Sequence, residues 1–274
     1  MTTNDYLYEN APLVEVIAEV RWAYTKLPSI PNGGIDPQYE QFAKDFASAV
    51  EKLGYTFREP LVPDEIPREF LAGQPMLRLR KGANQWPLFQ VGQGLLTANV
   101  VPPYKGWAEY RTILRTALLT LYSSYPSAEQ LLRFERLDLR YLDAFTAKHG
   151  LYEPYGKASS ECVRIGVTIP DKLKEFVAGG TFDNVTPVVQ LSFNHKSMSE
   201  TSGEIKFGPG MTAPDNAKAL IAEFRIFKSI PSKYEDSEKI LGWFDDAHRE
   251  IREWFEATIS DKTRDTFGKR SPIN

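Results

Sequence analysis

Two short phrases pair a carboxylate with a guanidinium two residues later, Ile17-Ala18-Glu19-Val20-Arg21 and Ile221-Ala222-Glu223-Phe224-Arg225. A related phrase, Glu135-Arg136-Leu137-Asp138-Leu139-Arg140, lies midway. Side chains two apart share one face of a strand, so each phrase sets opposite charges side by side. Such a row has three readings. It can decorate a wetted sheet face, where each cross-strand pair contributes about 0.2–1 kcal/mol. It can be a cationic floor that recognises an anionic ligand or an acidic partner segment. It can also be a buried structural ion network. Glu19, Arg21, Arg136, Arg140, Glu223 and Arg225 are the candidate binding residues.

Little else has the spacing of a reaction centre, and no catalytic residue is assigned. His149, His195 and His248 stand far from one another and from Cys162, the single cysteine, so no metal site is expected and no disulfide can form within the chain. His248 follows Asp245 by three residues on a predicted helix, where an intrahelical hydrogen bond would orient the ring, the geometry of a general base but far more often of a satisfied structural histidine. His195 sits at a strand end and reads as a surface residue, and Cys162 as a buried bystander. Phosphate-loop, dinucleotide and serine-elbow motifs are missing, so no cofactor is expected. A second basic patch, Arg78, Arg80 and Lys81, ends a predicted strand and could meet a phosphate or an acidic partner.

Composition narrows the field further. The chain has 274 residues, 42% hydrophobic and 25% charged, with a formal net charge of -3. That is globular composition, and the charge gives no global pull toward a phosphate backbone, so nucleic acid is an unlikely partner. No apolar run approaches the roughly twenty residues of a membrane span, and the N-terminus lacks the pattern of a signal peptide. A cytoplasmic protein with no membrane span is expected.

Periodicity supplies the elements that must position these residues. Alternation predicts a strand over Leu13–Trp22, and helical spacing predicts a helix after the Asp36-Pro37 cap, closed by Gly54. Three short strands follow, 76–81, 87–91 and 95–101, then a helix from Trp107. The order then restarts: a long strand over 131–145, a short helix over 171–178, strands over 185–195, 204–207 and 219–228, and a helix over 238–259. Residues 163–169 read as a strand able to pair with 131–145 as a hairpin, and 148–161 as a long loop.

The expected fold is α+β, a single domain over 1–274. Two similar strand, helix, three-strand, helix halves, 10–125 and 130–260, would build antiparallel sheets. The long helices would pack on one side, in a TATA-box-binding-protein-like or helix-grip-like arrangement. Residues 261–274 read as a flexible basic tail.

The ordered set Pro12-Leu13-Val14-Glu15-Val16 with Glu19-x-Arg21, Tyr104-x-x-Trp107, Arg140-Tyr141-Leu142-Asp143, and His248-x-x-Ile251 with Phe255 and Ile259 resembles a sporadically distributed bacterial protein family of unknown function, about 260 residues long. The resemblance spans nearly the whole chain. It implies a cytoplasmic bacterial protein carried in mobile or defence-associated neighbourhoods, and it transfers no catalytic residue.

The leading expectation is a non-enzymatic module that binds a protein partner or a small anionic ligand through its sheet, with Trp22, Tyr24, Trp86 and Tyr104 as aromatic anchors. A partner encoded nearby and a homodimer are both compatible with it. The alternative is an enzyme acting on a phosphate- or carboxylate-bearing substrate, with Glu19, Arg21, Arg140 and His248 meeting in one cleft. A nucleic-acid-binding protein is the third reading.

Overall fold

Val16, Ala18, Val20 and Trp22 alternate with Glu15, Ile17, Glu19 and Arg21, and in the computed structural model this stretch is a strand whose first set is buried. The structure describes residues 6–31, 33–63, 65–151, 161–165, 170–177, 187–213 and 215–272. In chain order the strands are β1 (Tyr6–Tyr8), β2 (Leu13–Trp22), β3 (Thr25–Lys26), β4 (Gly34–Ile35), β5 (Phe57–Pro60), β6 (Leu77–Arg80) and β7 (Leu88–Gly92). They continue with β8 (Leu95–Val100), β9 (Phe134–Phe145), β10 (Val189–Asn194), β11 (Thr201–Thr212), β12 (Ala217–Lys233) and β13 (Arg270–Pro272). The helices are α1 (Tyr39–Glu51), α2 (Trp107–Ser124), α3 (Ala128–Leu131), α4 (Asp171–Lys174), α5 (Ser237–Thr258) and α6 (Asp261–Asp265).

Among the described residues, nine strands form one antiparallel sheet in the order β10-β11-β12-β9-β2-β8-β7-β6-β5. β2 and β9 lie at its centre. From them β8, β7 and β6 step outward on one side, and β12, β11 and β10 on the other. The long helices cover one face: α2 lies between α1 and α5, with α1 against β7, α2 against β8, and α5 against β9 and β12. The fold is α+β, a layer of helices on a large antiparallel sheet.

Each helix is held by the residues its period selects. On α5, Ile240, Leu241, Phe244, Ala247 and Ile251 are buried at spacings of three and four, and Asp236 caps the start by accepting from the Lys239 amide at 3.0 Å. α2 is pinned through Tyr110, whose hydroxyl accepts from the Ala18 amide and donates to the Ala98 carbonyl, both at 2.7 Å, bridging β2 and β8. Beside it, buried Asp36 accepts from Trp22 Nε1 at 2.9 Å and the Tyr125 hydroxyl at 3.0 Å, while its own amide donates to Gln93 Oε1 at 2.9 Å. Asp36 is not the cap expected of it: the N-cap of α1 is Gln38, whose amide donates to Asp36 at 3.0 Å, and Asp36 serves instead as a hub that ties sheet, helix and loop. Between β7 and β8, Gly94 turns at φ +72°, where a Cβ would stand 2.6 Å from the Tyr24 ring.

Several expectations need correction. Residues 163–165 do not pair with β9, whose two edges are taken by β2 and β12; Val163 bridges Ile259 instead, and the rest of the expected strand, 166–169, lies outside the described residues. Most of the expected 148–161 loop, the end of the 171–178 helix and the start of the 185–195 strand also lie outside them. The tail is structured where it is described. α6 is capped by Ser260, β13 pairs with β1, and Phe267 is 0% exposed among Tyr8, Phe145 and Phe255. Trp22, expected as a surface anchor, is core, packed edge-to-face on Phe42 and Tyr125.

Candidate functional site

The face away from the helices carries the charged phrases. Register sets like charges directly across the strands: Arg21 faces Arg136, Glu19 faces Asp138, and Arg140 faces Arg225. Direct opposition of like charges is unfavourable, and the side chains resolve it by pairing along diagonals and along each strand. Arg225 Nε lies 3.0 and 2.9 Å from the two Asp138 oxygens, with its NH2 at 2.6 Å. Arg140 NH2 reaches Glu19 at 3.2 Å, Arg21 Nε reaches Glu19 at 2.5 Å, and Arg136 Nε donates to Asp138 at 3.2 Å. On β11, Glu204 accepts from Arg225 NH1 at 3.4 Å and pairs with Lys206 at 3.2 Å.

The row is layered by depth. The side chains of Asp138 and Glu19 are 0% and 5% exposed, whereas those of Arg225, Arg140, Arg136 and Arg21 are 22%, 28%, 31% and 36% exposed. Carboxylates form the floor and guanidiniums the surface. Burial works against the charge of Arg225, but Asp138 and Glu204 outweigh it and raise its pKa. At Arg136 burial wins over Asp138, and its pKa is lowered. Burial also opposes the charge of Glu204, yet Lys206 and Arg225 hold its carboxyl below the ordinary range.

Five of the six sequence candidates therefore meet in one network, with Asp138 and Glu204 added. Both additions were legible as alternating charges in strands. Glu223 shares the face, opposite Lys206 and Leu142, but joins none of these ion pairs. In the second basic patch Arg78 and Arg80 share Glu59 at 3.1 and 3.4 Å, Arg80 is buried with Trp86 over its guanidinium, and Lys81 lies over the Tyr55 ring.

His248 is on the opposite side of the sheet from this row, so the four-residue cleft of the enzyme reading does not form. Its Nδ1 hydrogen-bonds the Tyr141 hydroxyl at 2.8 Å, and its ring stacks on Trp107 at 4.4 Å. Asp245, the expected orienting group, instead accepts from Trp107 Nε1 at 2.7 Å and from Arg111 Nε at 2.8 Å. Burial, then Arg252 and Arg249, push the His248 pKa down to about 3. His195 is not a surface residue either: its Nδ1 accepts the Ser197 and Met198 amides, which leaves Nε2 to donate to Glu250 at 2.9 Å.

A cavity of about 330 Å³ lies beside His248, between α5, β9, β1 and the Pro102-Pro103-Tyr104 corner. Sequence reasoning missed it. No protein-family model, curated protein or solved structure matches the chain. Much of the motif set behind the family resemblance converges on this cavity: Tyr104, Tyr141, Asp143, His248, Ile251 and Phe255 all line it. Among the described residues there is no group of three or more His, Cys, Asp or Glu able to hold a metal ion, and no helix is long and apolar enough to cross a membrane.

Proposed function

We propose that the chain is a non-enzymatic binding module whose open sheet face receives an acidic segment of a protein partner. The observation that carries this reading is the layering of the central row. Four half-exposed guanidiniums, those of Arg21, Arg136, Arg140 and Arg225, stand above two buried carboxylates, so an approaching partner meets positive charge first. Guanidinium N–H groups that point outward from such a row match carboxylates in fork geometry. Within the row, four arginines and Lys206 face Glu19, Asp138, Glu204 and, opposite Lys206, Glu223, an excess of one positive charge by 5 − 4. An extended acidic segment suits the length of the row better than a compact anion, since the arginines are spread over β2, β9 and β12.

The mirrored strand order about β2 and β9, with a long helix closing each half, supports the reading of the two halves as a structural duplication in a TATA-box-binding-protein-like manner. In that reading the row lies on the pseudo-symmetry axis. The chain is then a cytoplasmic member of the bacterial family it resembles, and the partner is a protein from the same neighbourhood.

A fluorescent oligo-glutamate peptide, titrated at low and high ionic strength, tests the docking reading. Saturable binding that weakens with salt and is lost in Arg140→Met is expected. Equal binding of an oligo-lysine peptide, or intact binding in a folded Arg140→Met variant, would leave the row as surface decoration.

A further inference from the structure

Asp143 follows Tyr141 by two residues on β9, so its side chain shares the helix-covered face, and the residue is 4% exposed. Among the described residues its carboxyl makes no hydrogen bond or ion pair, although it lies in the wall of the cavity beside His248. A buried polar group without a partner is costly, and a charged one more so. Burial alone pushes its pKa up to about 7.

Three other charged groups line the same cavity, Glu9, Arg252 and Glu256. From α5, Glu256 accepts from the hydroxyls of Tyr6 and Tyr8 on β1 and pairs with Arg264 and Arg270. Arg252 lies 3.8 Å over the Tyr6 ring, and His248 is held neutral against Tyr141. The rest of the wall is largely apolar and aromatic, with Tyr104, Phe224, Ile251 and Phe255 in it. Among the described residues, none of these groups donates to the Asp143 carboxyl.

We propose that this cavity binds a small amine, its protonated nitrogen on the Asp143 carboxylate and its apolar body against Tyr104, Phe224 and Phe255. An ammonium supplies both the hydrogen bonds and the charge that Asp143 lacks, and aromatic faces attract cations. The cavity volume lies within the range of small-molecule sites. A carboxylate or phosphate ligand would bring like charge to Asp143, and a neutral alcohol would leave its charge unopposed. Because the ammonium pairs with the ionised carboxylate, binding releases the Asp143 proton and strengthens as pH rises.

Calorimetric titration of the full chain with 2-phenylethylamine, 2-phenylethanol and 3-phenylpropionate tests this. The amine should bind saturably and the other two at least tenfold more weakly. Its affinity should rise about tenfold from pH 6 to pH 8, the change in ionised fraction of a group that titrates near neutrality. In the same range, runs in buffers of different ionisation enthalpy should report proton release. Asp143→Asn should remove most of the affinity and the pH dependence. Tighter binding of the carboxylate or alcohol, affinity that falls with rising pH, or no saturable binding of this amine or of a panel of alkyl and aryl amines would overturn the proposal. Should Asp143→Asn fail to fold, the three-ligand comparison and the pH series on the unaltered chain decide it.

Discussion

Arg225 on β12 and Asp138 on β9 form the most complete ion pair of the sheet. They are diagonal neighbours, and the guanidinium touches both carboxylate oxygens through Nε and NH2 at 2.6–3.0 Å. Asp138 also receives Arg136 and stands 3.7 Å from Arg140, so one buried carboxylate organises three guanidiniums. Asp138→Ala should destabilise the fold by about 3 kcal/mol, because removing one side of a buried ionic network strands the other. Arg249→Ala, which removes an exposed pair with Asp246, should change it by less than about 0.5 kcal/mol. Urea unfolding of both variants checks the contrast; similar values would mean that the network is wetted.

Asp143 makes stability depend on pH in an unusual direction. Its folded pKa is about 7, above the ordinary value of 3.8, so the folded state holds the proton more tightly than the unfolded chain. The stability it contributes is present below pH 4 and is lost as pH rises toward 7. A shift of this size corresponds to about 4 kcal/mol. Asp143→Asn should match the parent protein near pH 4 and exceed it by about 2–4 kcal/mol near pH 8. Chemical denaturation at the two pH values measures this, and a constant difference would contradict it.

His248 works in the opposite sense. With its folded pKa lowered from 6.5 to about 3, the stability from its neutral ring is present above pH 6.5 and lost as pH falls below it. His248→Gln should therefore flatten the acid limb of the stability profile. Nitrogen shifts of the ring should show a neutral imidazole at pH 5, where an ordinary histidine is charged.

The C-terminal segment should be indispensable. Phe267 is buried among Tyr8, Phe145 and Phe255, and Arg264 and Arg270 pair with Glu256. Phe267→Ala should cost about 3–5 kcal/mol, as for other buried phenylalanines. Thermal unfolding checks it, and an unchanged melting temperature would restore the reading of a frayed tail.

Alternation made much of the sheet legible. β2 appears with its expected bounds, and Glu19, Arg21, Arg136, Asp138, Arg140, Glu223 and Arg225 fall on one face because even and odd positions cannot mix in a strand. The same parity could have found the cavity. Asp143 belongs to the odd positions of β9 with Leu137, Leu139 and Tyr141, a core face where a carboxylate is anomalous, yet it reads as one more charge among Arg136, Asp138 and Arg140. His248 is a satisfied structural histidine as expected, but its partner is Tyr141 and not Asp245. The i−3 position of Asp245 favours an intrahelical bond, but Trp107 and Arg111 on α2 claim that carboxylate, and only tertiary packing decides between them. The tail was misread because basic residues near a terminus resemble a solvated end, while Phe267 alone carries the packing signal.

The most direct test of the docking face is to follow the arginine Nε–H resonances while an acidic peptide is titrated. The account predicts that signals from Arg21, Arg136, Arg140 and Arg225 shift together and saturate, while Arg111 and Arg249 on the helical side stay still. Shifts confined to the helical side, or an unperturbed central row at saturating peptide, would contradict it.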